Sequence, residues 1–131
     1  MHSRVKDAAV VIVGKVAVSS IVLGSGFRAV SDDDYARIVI AQRFAESPSL
    51  DPSGTSWLPF PFWLNGGAMI VLGSSVEVAR GLALVLGVAA SFAVWLSLRW
   101  LGAGRLGAVV GAVAASIFPY SAWLGVAAVP E

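Results

Sequence analysis

The chain contains no cysteine, so disulfides and thiolate metal sites are excluded and the redox compartment is left open. Its one histidine, His2, lies near the start, which argues against a histidine-built metal centre. Charge is scarce as well. Only 13% of the 131 residues are Asp, Glu, Lys or Arg, against about 25% in ordinary soluble domains. A soluble fold of this length needs a polar surface that this chain does not carry, and the bilayer is the expected solvent. Net charge is +1 and no basic run alternates with aromatics, so no nucleic-acid partner is expected.

What is present is mostly apolar sequence, 57% of the chain. Residues 8–27 form a twenty-residue block with one charge, Lys15. About 20 apolar residues span a bilayer core as a helix. A charge near the middle of such a span costs roughly 2.5–3.5 kcal/mol on insertion scales. The Lys15 stem is therefore expected to snorkel toward the N-terminal side. A basic start and the small residues Gly24, Ser25 and Gly26 also fit a cleaved signal peptide. The length of the block, and the membranous segments after it, favour an anchor. Residues 81–98, between Arg80 and Arg99, read as a second span, and residues 106–129 as a third, kinked at Pro119. Both are rich in Gly and Ala, which lets neighbouring helices approach closely.

Between the first two spans lies a polar loop, residues 28–80, with six of the eight acidic residues and four arginines. Ser31 is a suitable N-cap, and Asp32, Asp33 and Asp34 fill a first helical turn, where carboxylates suit the helix dipole. A short amphipathic helix is expected over about 32–46, lying on the membrane surface with Tyr35, Ile38, Val39 and Gln42 on one side. Ser47-Pro48 ends it, because the residue before proline leaves helical geometry. Asp51-Pro52-Ser53-Gly54 marks a turn. Residues 57–76 are uncharged, yet Pro59, Pro61 and Asn65-Gly66-Gly67 make them a poor simple span. A second interfacial or re-entrant helix is expected over about 61–72, with Trp57, Phe60, Phe62 and Trp63 at headgroup level. A true span here is the rival reading.

The fold class expected is thus all-α integral membrane, with three transmembrane helices and one or two interfacial helices in the first external loop. Arg4, Lys6, Arg99 and Arg105 fall on one side of such a topology, and the positive-inside rule makes that side cytoplasmic. The protein then sits in the cell membrane, multi-pass, with loop 28–80 outside the cytoplasm.

Each candidate functional group has two readings. First-turn acids stabilise a helix start by about 0.3–1 kcal/mol each, which accounts for Asp32, Asp33 and Asp34 as a cap. Three adjacent like charges exceed what a cap needs. A carboxylate there can act as general base toward a hydroxyl, or join oxygen ligands around a divalent cation. Arg28, Arg37 and Arg43 fit either lipid phosphates in general or the phosphate of one lipid-linked substrate, gripped bidentately. The aromatics of 57–63 fit a membrane belt or a sugar-stacking platform.

The order of parts adds a further signal. One span precedes an external helix that opens on Asp32-Asp33-Asp34-Tyr35. Trp57, Pro59, Pro61 and Trp63 follow, then Gly73 and Arg80, then closely spaced spans and Pro130-Glu131. This resembles the N-terminal part of the membrane glycosyltransferases of the GT-C fold, closest to the protein-mannosyltransferase and aminoarabinose-transferase-like group. The likeness runs from about Gly14 to Glu131, over degenerate motifs. It implies a polyprenyl-phosphate sugar as donor and an acidic residue as catalytic base, Asp33 first, with Asp32 and Asp34 as its neighbours. It implies substrate-binding roles for Arg28, Arg37, Arg43, Arg80, Trp57 and Glu131. No metal ligand or cofactor is specified, and a divalent cation is left open. Family members run to several hundred residues, so this chain is expected to be one portion of a longer or split enzyme and inactive alone. The alternative is a small non-catalytic three-span subunit or scaffold. Lipids, the lipid-linked donor and the rest of a split enzyme are the expected partners.

Overall fold

A computed structural model describes residues 2–127. Helix is their regular secondary structure, with no strand among the described residues. The elements are α1 (His2–Gly24), α2 (Asp32–Glu46), α3 (Phe60–Leu72), α4 (Val76–Trp100), α5 (Arg105–Ile117) and α6 (Pro119–Leu124). Two stretches are long and apolar enough to cross a membrane, Arg4–Gly24 in α1 and Val76–Trp100, which is α4. At 1.5 Å per residue the latter is about 37 Å long, against a hydrocarbon core of about 30 Å.

The chain divides into two compact units. One contains α1 together with Leu84–Val126. The buried stripe of α1 is Asp7, Val11, Lys15 and Ser19, spaced four residues apart so that they stack along one face. Val11 packs with Trp95, Ala108 and Ala112. Asp7 meets Arg105 at the start of α5, and Lys15 meets Ser121 in α6. The partners of α1 therefore advance along α5 and α6 as α1 itself advances, so α1 and α5 run parallel. Ser91 of α4 bonds Ser116 of α5, while Leu98, further along α4, faces Gly111, earlier in α5. Those pairings make α4 antiparallel to α5.

The expected third span, 106–129, is not one helix. It breaks at Phe118, whose ψ of 129° leaves the helical region, and α5 stops at thirteen residues. The cause is Pro119: its ring disfavours helical geometry in the residue before it, while Pro119 itself opens α6 comfortably. At about 20 Å, α5 alone is shorter than a bilayer core. Residues 128–131, including the expected site residue Glu131, lie outside the described residues.

The other unit, Arg28–Ala83, is a helical hairpin joined by the head of α4. Helix α2 occupies the span expected of it. Helix α3 starts at Phe60, and Asn65-Gly66-Gly67 does not interrupt it. Asn65 instead turns its amide back onto the Pro61 carbonyl, 3.0 Å away. The two helices cross closely because Gly66 has no side chain: a Cβ there would collide with the Phe44 ring and lie 2.9 Å from the Ala41 carbonyl. Ile38, Ala41, Met69 and Ala79 form the core of this unit. The buried face of α2 is thus Asp34, Ile38 and Ala41, while Tyr35 and Val39 are exposed.

Candidate functional site

The acid triplet sits where the sequence places it, in the first turn of α2, but its three members differ. Asp34 is buried, at 2% exposure. Its Oδ2 accepts a hydrogen bond from the Val30 N–H at 2.7 Å. Ser31 makes no side-chain cap bond, so Asp34 reaches back from the third helical position to hold the entering chain. Its Oδ1 is buried with no hydrogen-bond partner among the described residues. Asp32 and Asp33 are exposed, at the positive end of the helix dipole. One carboxylate therefore braces the loop and two face outward.

Around this turn the loop brings two further pairs together. The Arg80 guanidinium donates to the Arg28 carbonyl at 2.8 Å. Arg28 follows the first apolar block and Arg80 precedes the second, so this bond ties the two ends of the loop to each other. Arg37, one turn beyond Asp33 on α2, lies over the Trp57 ring at 5.0 Å from its centroid, a cation–π contact. Trp57 in turn stacks on Phe62, with ring centroids 6.1 Å apart. The turn that delivers Trp57 is set by Asp51, whose Oδ1 accepts from the Gly54 N–H at 3.1 Å while Gly54 takes a φ of +62°.

Arg43 is not part of this group. It lies in the last turn of α2, about 15 Å along the axis from Asp33. A cation suits the negative end of the dipole there, which is reason enough for its position. Among the described residues no three acidic or histidine side chains converge as metal ligands. The inward turn of Asp34 separates it from Asp32 and Asp33.

A second polar cluster lies in the unit built on α1, where the sequence suggested none. Lys15 is buried at 2% exposure instead of snorkelling to the N-terminal side. Its Nζ donates to the Ser121 carbonyl at 2.7 Å. Gly87 and Gly125 make the room, since a Cβ on either would run into the Lys15 side chain. Ser121 sits in the last turn of α6, so the ammonium rests against the negative end of a short helix. Two levels down, the Arg105 guanidinium holds both oxygens of Asp7, Nε at 2.9 Å from Oδ1 and 2.8 Å from Oδ2, with Nη2 2.8 Å from Oδ1. The signal for this seam was the four-residue spacing of Asp7, Val11, Lys15 and Ser19, which reads as a stripe only when the polar residues are counted with the apolar one. The chain matches no protein-family model, no curated protein and no solved structure.

Proposed function

We propose that the chain is the N-terminal portion of a membrane glycosyltransferase, moving a sugar from a polyprenyl-phosphate donor to an acceptor hydroxyl on the non-cytoplasmic face. The observation that carries this reading is the start of α2: two exposed aspartates on a helix end braced by a third, beside loop ends tied by arginine. Asp33 takes the proton of the acceptor hydroxyl. The acceptor oxygen bonds the anomeric carbon as the bond from that carbon to the phosphate oxygen breaks. Polyprenyl phosphate leaves with the electron pair, and Arg28 or Arg80 steadies its charge. Asp32 is the alternative base, and Asp34, buried, positions both. Trp57 with Arg37 offers an aromatic surface to the sugar. Arg43 has no part in the transfer.

In this reading α1, α4 and the α5–α6 pair cross the membrane, and α2 and α3 are interfacial. The parallel course of α1 and α5, with α4 antiparallel, supports three crossings. The Asp7–Arg105 pair supports a shared cytoplasmic side for the N-terminal flank and the 99–105 connection. The non-catalytic scaffold reading remains the alternative: Ala108 and Ala112 pack inside the chain, while Ala89, Ala90, Ala93 and Gly107 are exposed small residues that a partner helix could meet.

The test is sugar transfer from a polyprenyl-phosphate hexose by membranes carrying the whole reading frame to which this chain belongs. Asp33→Asn is expected to lower turnover by about 10²–10⁴-fold, the range of a positioned general base. Unchanged turnover in all three single Asp→Asn variants overturns the assignment.

A further inference from the structure

Helix α3 is uncharged over all thirteen residues, FPFWLNGGAMIVL. One face of it packs into the hairpin core through Phe62, Gly66 and Met69, and the Trp63 indole N–H donates to the Ser49 carbonyl at 3.3 Å. The opposite face carries Phe60, Trp63 and Val71, with Ile70 and Leu72 beside it, all exposed. A helix that is apolar all round is normally buried all round. The other outer face of the same hairpin carries the charge that α3 lacks. Opposite Asp34, Ile38 and Ala41, helix α2 presents Asp32, Ala36, Val39 and Arg43, with Asp33 and Tyr35 on its flanks, all exposed. The two outer sides of the hairpin therefore differ in charge: α2 mixes charged and apolar residues, and α3 carries no charge.

Chain continuity says what covers the hydrocarbon side. Three residues, 73–75, separate α3 from α4. They reach at most about 13 Å across the gap when fully extended. The head of α4 packs into the hairpin core through Ala79, and from Gly81 to Leu98 α4 carries no charge. The apolar end of α3, Ile70 to Leu72, thus lies at the mouth of a helix long and apolar enough to cross a membrane. Arg80, the last charge before that apolar stretch, marks the water boundary and bonds Arg28 at the mouth of the loop's other end.

We propose that the outer face of α3 is immersed in the acyl chains of the bilayer. Helix α2 then rides on α3, and Asp32 and Asp33 are held in the aqueous headgroup layer. On this proposal α3 is the lipid-facing element and α2 its water-facing lid. The inference rests on the membrane reading of α4 and is independent of transferase activity.

The absence of cysteine makes the test direct. Single-cysteine variants Val71→Cys, Asp33→Cys and, as control in α4, Val85→Cys are spin-labelled in vesicles of three parts phosphatidylcholine to one part phosphatidylglycerol. Collision with oxygen reports lipid, and collision with a water-soluble nickel chelate reports water. The oxygen-to-nickel ratio is expected to be several-fold higher at 71 and 85 than at 33. A lipid-exposed 85 with a nickel-accessible 71 overturns the inference and leaves the membrane reading standing. A nickel-accessible 85 overturns both. Shielding of 71 from both quenchers means that protein, such as a second copy of the chain, covers α3, and also overturns it. Phe60→Cys repeats the measurement at the other end of the helix should Val71→Cys fail to fold.

Discussion

Lys15 is a cation enclosed by apolar helices, and its cost has to be met locally. A charged residue at mid-span opposes insertion by roughly 2.5–3.5 kcal/mol. The hydrogen bond from its ammonium to the Ser121 carbonyl returns about 1.5–3 kcal/mol, the range for bonds to charged groups. The two nearly cancel. Lys15→Met, which keeps the length of the side chain, is therefore expected to change stability by less than about 1.5 kcal/mol, since Ser121 still accepts from the Gly125 N–H. Lys15→Glu points an acceptor at an acceptor, and is expected to cost several times as much. Thermal unfolding in detergent, followed by helical circular dichroism, measures both. A large loss in Lys15→Met would mean that the charge itself holds α1 to α6. The residue was visible in the sequence as an anomaly. Its partner was not, because the carbonyl belongs to a helix 106 residues away that forms only after the break at Phe118.

At the scale of elements, Gly66 and Gly67 separate packing from propensity. Both lie in the interior of α3, where Gly→Ala alone gains about 0.5–1 kcal/mol. A Cβ at Gly67 meets nothing within 4 Å, so Gly67→Ala is expected to stabilise by about that amount. At Gly66 the obstacle includes the Ala41 backbone carbonyl, which cannot rotate aside. Overpacking costs about 1–3 kcal/mol, so Gly66→Ala is expected to destabilise despite the same helix gain. Opposite signs at adjacent glycines in a melting experiment are the expected result, and equal signs would mean that α2 and α3 are not in this contact. The extent of α2 was legible because its start and stop are local: Ser31 with three acids at one end, Ser47-Pro48 at the other. The closeness of α2 to α3 was not. Asn65-Gly66-Gly67 reads along the chain as an interruption, and only the packed partner turns Gly66 into a point of approach. The triplet shows the same limit. Its place at a helix start was readable, whereas the inward turn of Asp34 depends on Val30 offering its N–H across the entry to the helix.

For the whole molecule, composition pointed to apolar helices, two of which are long enough to cross a membrane, and left the topology to charge placement. Arg4, Lys6, Arg99 and Arg105 were grouped by the positive-inside rule before any contact was known. Asp7 gripping Arg105 joins the N-terminal flank to the 99–105 connection, a link that no single-sequence rule supplies because the two lie 98 residues apart. In the three-crossing topology these groups face the cytoplasm, and the hairpin turn near Ser53 faces outward. Ser53 is half-buried in a turn and Ala103 half-buried in the connection, so a cysteine at either is a modest change. In intact cells an impermeant maleimide is expected to label Ser53→Cys and to label Ala103→Cys only after permeabilisation. The reverse pattern would invert the molecule and put Asp32 and Asp33 in the cytoplasm, away from the face where the proposed transfer takes place. Labelling of both in intact cells would mean that the span between them, α4, does not cross at all. That outcome would remove the shared basis of the transferase reading and of the lipid-immersed α3, since both need α4 to fix the level of the membrane.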